Sequence, residues 1–126
     1  MQNLEQIRAT SAIEAWKTFK DARGENGGDV VRSLSALIIN NGLLATMSFA
    51  IDKKGGHLEL MENICQYLTN KRSIFKAIFR PGDNKDDKVT PYLNALANAP
   101  SITLQQATDE ALAYLTYLKR LRIKKA

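Results

Sequence analysis

Cysteine and histidine are almost missing from this chain of 126 residues: there is one of each, Cys65 and His57. A lone cysteine forms no internal disulfide, which excludes a stapled secreted scaffold and suits a reducing compartment. A single histidine beside a Gly-Gly pair offers no zinc-ligand pattern. Cys65 has no histidine at hydrogen-bonding spacing to activate it, and its place on an apolar helical face reads as a small buried thiol. No apolar run approaches the roughly 18 residues that cross a bilayer. The opening MQNLEQIRAT carries an early Glu instead of an apolar signal core. The chain therefore reads as cytoplasmic, with no membrane partner. Phosphate-loop, dinucleotide and zinc signatures are also missing. An enzyme of this size needs a recognisable acid, base, nucleophile or metal, so the sequence predicts no catalytic residue, no metal and no cofactor.

What is present has helical spacing almost throughout. Hydrophobic residues are 44% and charged residues 25% of the chain, a folding balance rather than a disordered one. A single helical domain over 1–126, with a basic tail from about residue 119, is expected to bury roughly two thirds of its surface. Leu4, Ile7, Ala12, Ala15, Trp16 and Phe19 predict a helix from Leu4 to Ala22, capped by Asn3. Three glycines within 24–28 interrupt it. Asp29 caps a second helix to Ile39, with Val30, Val31, Leu34, Leu37 and Ile38 inward. Asn41-Gly42 is a hairpin signal in isolation, but its flanks step by three and four. It therefore reads as a helix C-terminus in which Gly42 or Asn41 takes positive φ.

A third helix covers Leu43 to Asp52 and ends at a Gly55-Gly56 corner. The fourth runs from His57 to Thr69 with Leu58, Met61, Ile64, Cys65 and Leu68 buried, and a short one follows over Ser73–Phe79. Thr90-Pro91 restarts a helix that stops before Pro100, with Thr90 as cap and Pro91 first in the helix. Thr103-x-x-Gln106 is a capping box opening the last helix, which runs to Arg122 along Leu104, Ala107, Ala111, Leu115 and Leu118. The expected fold is all-α, a compact antiparallel bundle of about six helices without a sheet.

Eighteen Lys and Arg against thirteen Asp and Glu leave a net charge of +5, which favours an anionic partner. The basic residues are clustered. Lys71, Arg72, Lys76 and Arg80 share a stretch with no acid, and Lys119, Arg120, Arg122, Lys124 and Lys125 crowd the last residues. Lys17, Lys20 and Arg23 fall three apart along the first helix, and Lys53-Lys54 precede the Gly-Gly corner. Each cluster has two readings, a solvated helix face or contacts that track a phosphate backbone without reading bases. Asp83, Asp86 and Asp87 alternate with Lys85 and Lys88 and describe a solvated loop. Asp109-Glu110, early in the last helix, suits its dipole. With no helix-turn-helix signature and no aromatics alternating with the basic residues, sequence-specific readout is not expected.

Three stretches then resemble one known family. Leu4-Glu5-Gln6-Ile7-Arg8-Ala9 with Ala12 and Ala15 resembles the opening helix of the small subunit of the type III-B CRISPR effector, the Cmr complex. Ser35 to Phe49, with Asn40-Asn41-Gly42-Leu43 at its centre, resembles that family's central block. Ala107-Thr108 through Leu118-Lys119-Arg120 resembles its last helix. The resemblance implies a non-catalytic structural subunit of an RNA-guided complex. It would stack, with neighbouring copies of itself, along other Cmr subunits that carry the CRISPR RNA, and help to hold target RNA in antiviral defence. Arg8 matches the family opening and would touch RNA; the other reading is a pair with Glu5 or an interhelical bond. Asn40, Asn41, Gly42 and Leu43 match the central block, and their physical role is to turn the chain. Lys17, Lys20, Lys53 and Lys54 are RNA-binding candidates by charge placement. The competing reading is a stand-alone basic adaptor that binds an acidic protein.

Overall fold

In the computed structural model, which describes residues 3–20, 22, 28–72 and 88–121, every regular element is a helix. They are α1 (Leu4–Thr18), α2 (Gly28–Asn41), α3 (Leu43–Lys53), α4 (Gly55–Arg72), α5 (Thr90–Ala97) and α6 (Ser101–Arg120). The all-α bundle expected from the periodicity is the fold observed. The predicted helix over 73–79, Arg23, Lys76, Arg80, the aspartate loop at 83–87 and the tail from 122 lie outside the described residues.

The stripes read from the sequence meet in one core. Ala12, Ala15, Trp16, Val31, Leu34, Ile38, Leu43, Met47, Met61, Ile64, Cys65, Leu68, Ala107, Ala111, Leu115 and Leu118 are all buried. Ile7, Val30, Leu37, Leu44, Ile51, Leu58 and Leu104 pack partly buried around them. Asn3 caps α1, and the capping box here is Asn3 with Gln6: each side chain accepts from the other's backbone N–H.

Several boundaries differ from expectation, each for a tertiary or backbone reason. α1 ends at Thr18, not Ala22, because Phe19 turns extended (φ −62°, ψ 138°) to bury its ring edge-on against Trp16, 5.3 Å between centroids. The corner beyond is held from α4: the Glu59 carboxylate accepts the Lys20 N–H at 3.0 Å and the Ala22 N–H at 2.7 Å. Lys20 therefore does not continue a row from Lys17 along α1. α5 begins at Thr90 with Val89 as N-cap, one residue earlier than expected. α6 begins at Ser101, because the Pro100 carbonyl accepts the N–H groups of Thr103 (2.9 Å) and Leu104 (3.3 Å). Thr103 is thus inside the first turn, and no side chain caps this helix. The bundle is also not wholly antiparallel. Arg8 meets Glu110 and Trp16 meets Leu118, so α1 and α6 run parallel. α4 runs against both, since Tyr67 meets Glu110 while Asn63 meets Tyr114.

Gly55 and Gly56 open α4, and Gly55, at φ 58°, shares the corner with the residue before it. That residue, Lys54, sits at φ 60° and ψ −161°, a region almost reserved for glycine. Its N–H closes α3 on the Ala50 carbonyl (3.0 Å), and its carbonyl faces the Leu58 N–H of α4 at 3.5 Å. Such backbone strain costs of order 1–3 kcal/mol, and the extra unfolded-state freedom of glycine offsets up to about 1 kcal/mol of any relief. Lys54→Gly is expected to stabilise the protein by about 1 kcal/mol in urea denaturation. A destabilised variant would show that the corner is not strained.

Candidate nucleic-acid interface

Three helix ends converge at one end of the bundle. The Glu59 bonds bring the corner after α1 against the first turn of α4, which follows Lys53 and Lys54 directly. The Trp16 indole N–H donates to the Leu118 carbonyl at 2.9 Å and brings the last turn of α6 to the same place. Lys17, Lys20, Lys53 and Lys54 therefore share this end with Lys119 and Arg120, and all six are exposed. The acids among them are Glu14, Asp52 and Glu59. Glu14 pairs with Lys17 at 3.5 Å, and Glu59 is turned onto backbone amides. Lys17 and Lys53 lie in the last turns of their helices, where a cation also complements the helix dipole.

Arg8 lies away from that end. Its guanidinium grips Glu110 with two parallel bonds, Nε to Oε2 and Nη2 to Oε1, each 2.8 Å. This is the interhelical bond among the alternatives left by the sequence. The Tyr67 hydroxyl donates to Glu110 Oε2 at 2.7 Å. Arg72 Nε lies 3.4 Å from Oε1, within ion-pair range but out of line for a hydrogen bond. Glu110 is only 6% exposed. Burial pushes its carboxyl up, but the hydrogen bonds from Arg8 and Tyr67 and the two guanidinium charges outweigh that and hold it below its ordinary 4.5. Burial and the same carboxylate push the Tyr67 hydroxyl up. The dipole role that the sequence suggests for Asp109 and Glu110 fits neither: α6 starts at Ser101, its first turn carries no acid, and both residues lie beyond the reach of the dipole. Asp109 is exposed. Glu110 sits on the buried stripe between Ala107 and Tyr114. A carboxylate on an apolar stripe is the available signal, since a buried charge requires a partner.

Tyr67 stacks flat on Tyr114 (centroids 4.0 Å, planes 3° apart), and the Tyr114 hydroxyl donates to Asn63 Oδ1 at 2.6 Å. These rings floor a groove of about 370 Å³ between α1 and α4. Thr10, Ser11, Glu14 and Thr18 form one wall; Asn63, Gln66, Asn70 and Lys71 form the other. Arg8, Arg72, Gln106, Asp109 and Glu110 line a second hollow beside it.

At the central block, α2 ends on Asn41 and α3 begins on Leu43, with Gly42 between them at φ 90°. The Gly42 carbonyl accepts both the Thr46 N–H (3.2 Å) and its hydroxyl (2.8 Å). Leu43 is buried, while Asn40 and Asn41 are exposed. His57 Nε2 lies 3.2 Å from Ser33 Oγ and edge-on to Phe49. Burial first, then the charge of Lys53, lowers its pKa. Among the described residues no group of three or more metal-ligand side chains converges, and no helix is long and apolar enough to cross a membrane.

Among known proteins, the family model described as CRISPR-associated protein (Cas_Cmr5) matches residues 4–122. No curated protein and no solved structure matches the chain.

Proposed function

The chain belongs to the CRISPR-associated Cmr5 family, and from that premise we propose that it is a non-catalytic structural subunit of the type III-B Cmr ribonucleoprotein. It stacks, beside copies of itself, along the subunits that carry the CRISPR RNA and helps to hold target RNA in cytoplasmic antiviral defence. The whole chain serves as one helical domain with a basic tail from about residue 119. The observation that carries the RNA half of this reading is the meeting of Lys17, Lys20, Lys53 and Lys54 with Lys119 and Arg120 at one end of the bundle. Cations from three helix termini suit a phosphate backbone, which they can track without reading bases. A few such charges per copy bind weakly alone and add up when copies line a single strand.

The test is charge reversal at two of these lysines in the assembled complex. With Lys17→Glu and Lys20→Glu together, target-RNA affinity should fall. The log–log salt slope should shrink by about 0.7 for each phosphate no longer neutralised, about 1.4 for both. An unchanged slope in a folded, fully incorporated variant would remove this end of the molecule from the RNA path. Retrieval of the tagged chain with an acidic non-Cas protein, insensitive to RNase, would favour the adaptor reading instead.

A further inference from the structure

We infer that the groove between α1 and α4 seats a single unpaired nucleotide of the bound RNA strand, its base held by amide and hydroxyl side chains. The inference rests on the RNA-binding reading above and extends it from phosphates to a base. Two buried side-chain polar atoms among the described residues have no hydrogen-bond partner, Ser11 Oγ and Arg72 Nε. One lines the groove and the other lines the hollow beside it. The Tyr67–Glu110 bond joins the two depressions. Both atoms lie beneath these surfaces, so what the groove offers a ligand is the accessible amides and hydroxyls of its walls.

The chemistry of the walls narrows the ligand. Asn63, Gln66 and Asn70 are spaced three and four apart, so their amides form one stripe along α4. Thr10, Ser11 and Thr18 set hydroxyls opposite. Amides and hydroxyls both donate and accept, which matches the mixed edges of an unstacked base. Glu14 and Lys71 balance each other, so the groove itself is close to neutral and is a poor seat for a phosphate. The cations stand at its two mouths. Lys71 lies at one, beside the Arg8 and Arg72 guanidinium groups that face Glu110, and Lys17 lies at the other, paired with Glu14, with Arg8 and Lys17 roughly 14 Å apart along the helix axis. The groove's size, about 370 Å³, lies within the ~300–1,000 Å³ typical of small-ligand sites. A base between two cationic mouths fits this order of charge, whereas a neutral peptide has no need of the flanking cations.

The experiment uses the assembled complex, with Gln66→Ala and Asn70→Ala combined and a target RNA carrying one abasic nucleotide at each position in turn. In the wild-type complex, one or more abasic positions should weaken binding at least about fivefold. The double variant should lose the same factor on intact RNA, with no further loss when the two changes are combined, and with its salt slope unchanged. Losses that multiply, or an abasic scan and a variant both without effect, would overturn the inference. If Lys17→Glu with Lys20→Glu still shrinks the salt slope in that case, RNA binding stands and only the base site falls. If the lysine variants also leave RNA binding unchanged, both readings fall together. A groove variant that drops out of the complex would show that the groove receives a protein subunit, which also overturns the inference.

Discussion

Glu110→Ala is expected to destabilise the protein by about 3 kcal/mol, although it removes one side chain in a chain carrying eighteen basic residues. The alanine leaves the Arg8 and Arg72 guanidinium groups facing each other across a hole, and it leaves the Tyr67 hydroxyl without its acceptor. Removing one partner of a buried pair typically costs about 3–5 kcal/mol, because the charge left behind has neither water nor partner. Arg8 and Arg72 keep 22% and 33% of their side chains exposed, so water recovers part of the loss and the lower figure applies. For a chain of this length that is a fall of roughly 10 °C in the melting midpoint. Urea denaturation checks it, and a loss below about 1 kcal/mol would mean that Glu110 does not tie α1, α4 and α6 together.

The same carboxylate sets a pH dependence. Its folded pKa lies below 4.5, so the folded state prefers the ionised form more strongly than the unfolded chain does. The stability this contributes is fully present above the unfolded value and is lost as pH falls through the lower folded value. The gap between wild type and Glu110→Ala should therefore be widest above pH 4.5 and narrow on acidification below it. A gap that stays constant across that window would indicate that the alanine acts through lost packing alone.

Local periodicity makes most of the helices legible, because a stripe that recurs every 3.6 residues depends on neighbours in the chain. Asn3 is legible as a cap for the same reason. The ends that periodicity misplaces are those fixed by distant residues or by proline geometry. α1 stops at Thr18 because Phe19 turns into the core and Glu59, 39 residues on, receives the next amides. At α6, Pro100 starts the helix with its carbonyl, so the attractive Thr103–Gln106 box is not at a terminus. The candidate lysines stand out in the sequence by charge alone. Their meeting with Lys119 and Arg120 needs the parallel pairing of α1 with α6, which no local pattern encodes. Arg8 is the instructive case: its partner stands 102 residues away, and the only local trace is an acid on an otherwise apolar stripe.

The largest loss should come from Trp16→Ala, about 4 kcal/mol or more, in a protein whose total stability is of order 5–15 kcal/mol. Trp16 is the only tryptophan, it is 1% exposed, and truncating such a ring in a packed core costs about 3–5 kcal/mol. A second contribution is specific to this seam. The last four carbonyls of a helix have no intrahelical donor, and Leu118 is among them in a helix that ends at Arg120. The Trp16 indole N–H supplies that donor from α1, at 2.9 Å. Trp16→Phe keeps most of the ring and removes only the donor, so its loss should be about 1–2 kcal/mol. Circular dichroism during denaturation reports both variants, since the intrinsic indole signal disappears with the residue. A full loss in the alanine variant with none in the phenylalanine variant would show that ring burial alone holds the seam. The seam also joins the two halves of the basic end, Lys17 and Lys20 on one side, Lys119 and Arg120 on the other. Trp16→Ala is therefore expected to lower target-RNA capture without touching a charge, and in step with unfolding. Lysine variants should lower capture while the fold persists, and that difference separates a residue that touches RNA from one that holds such residues in place.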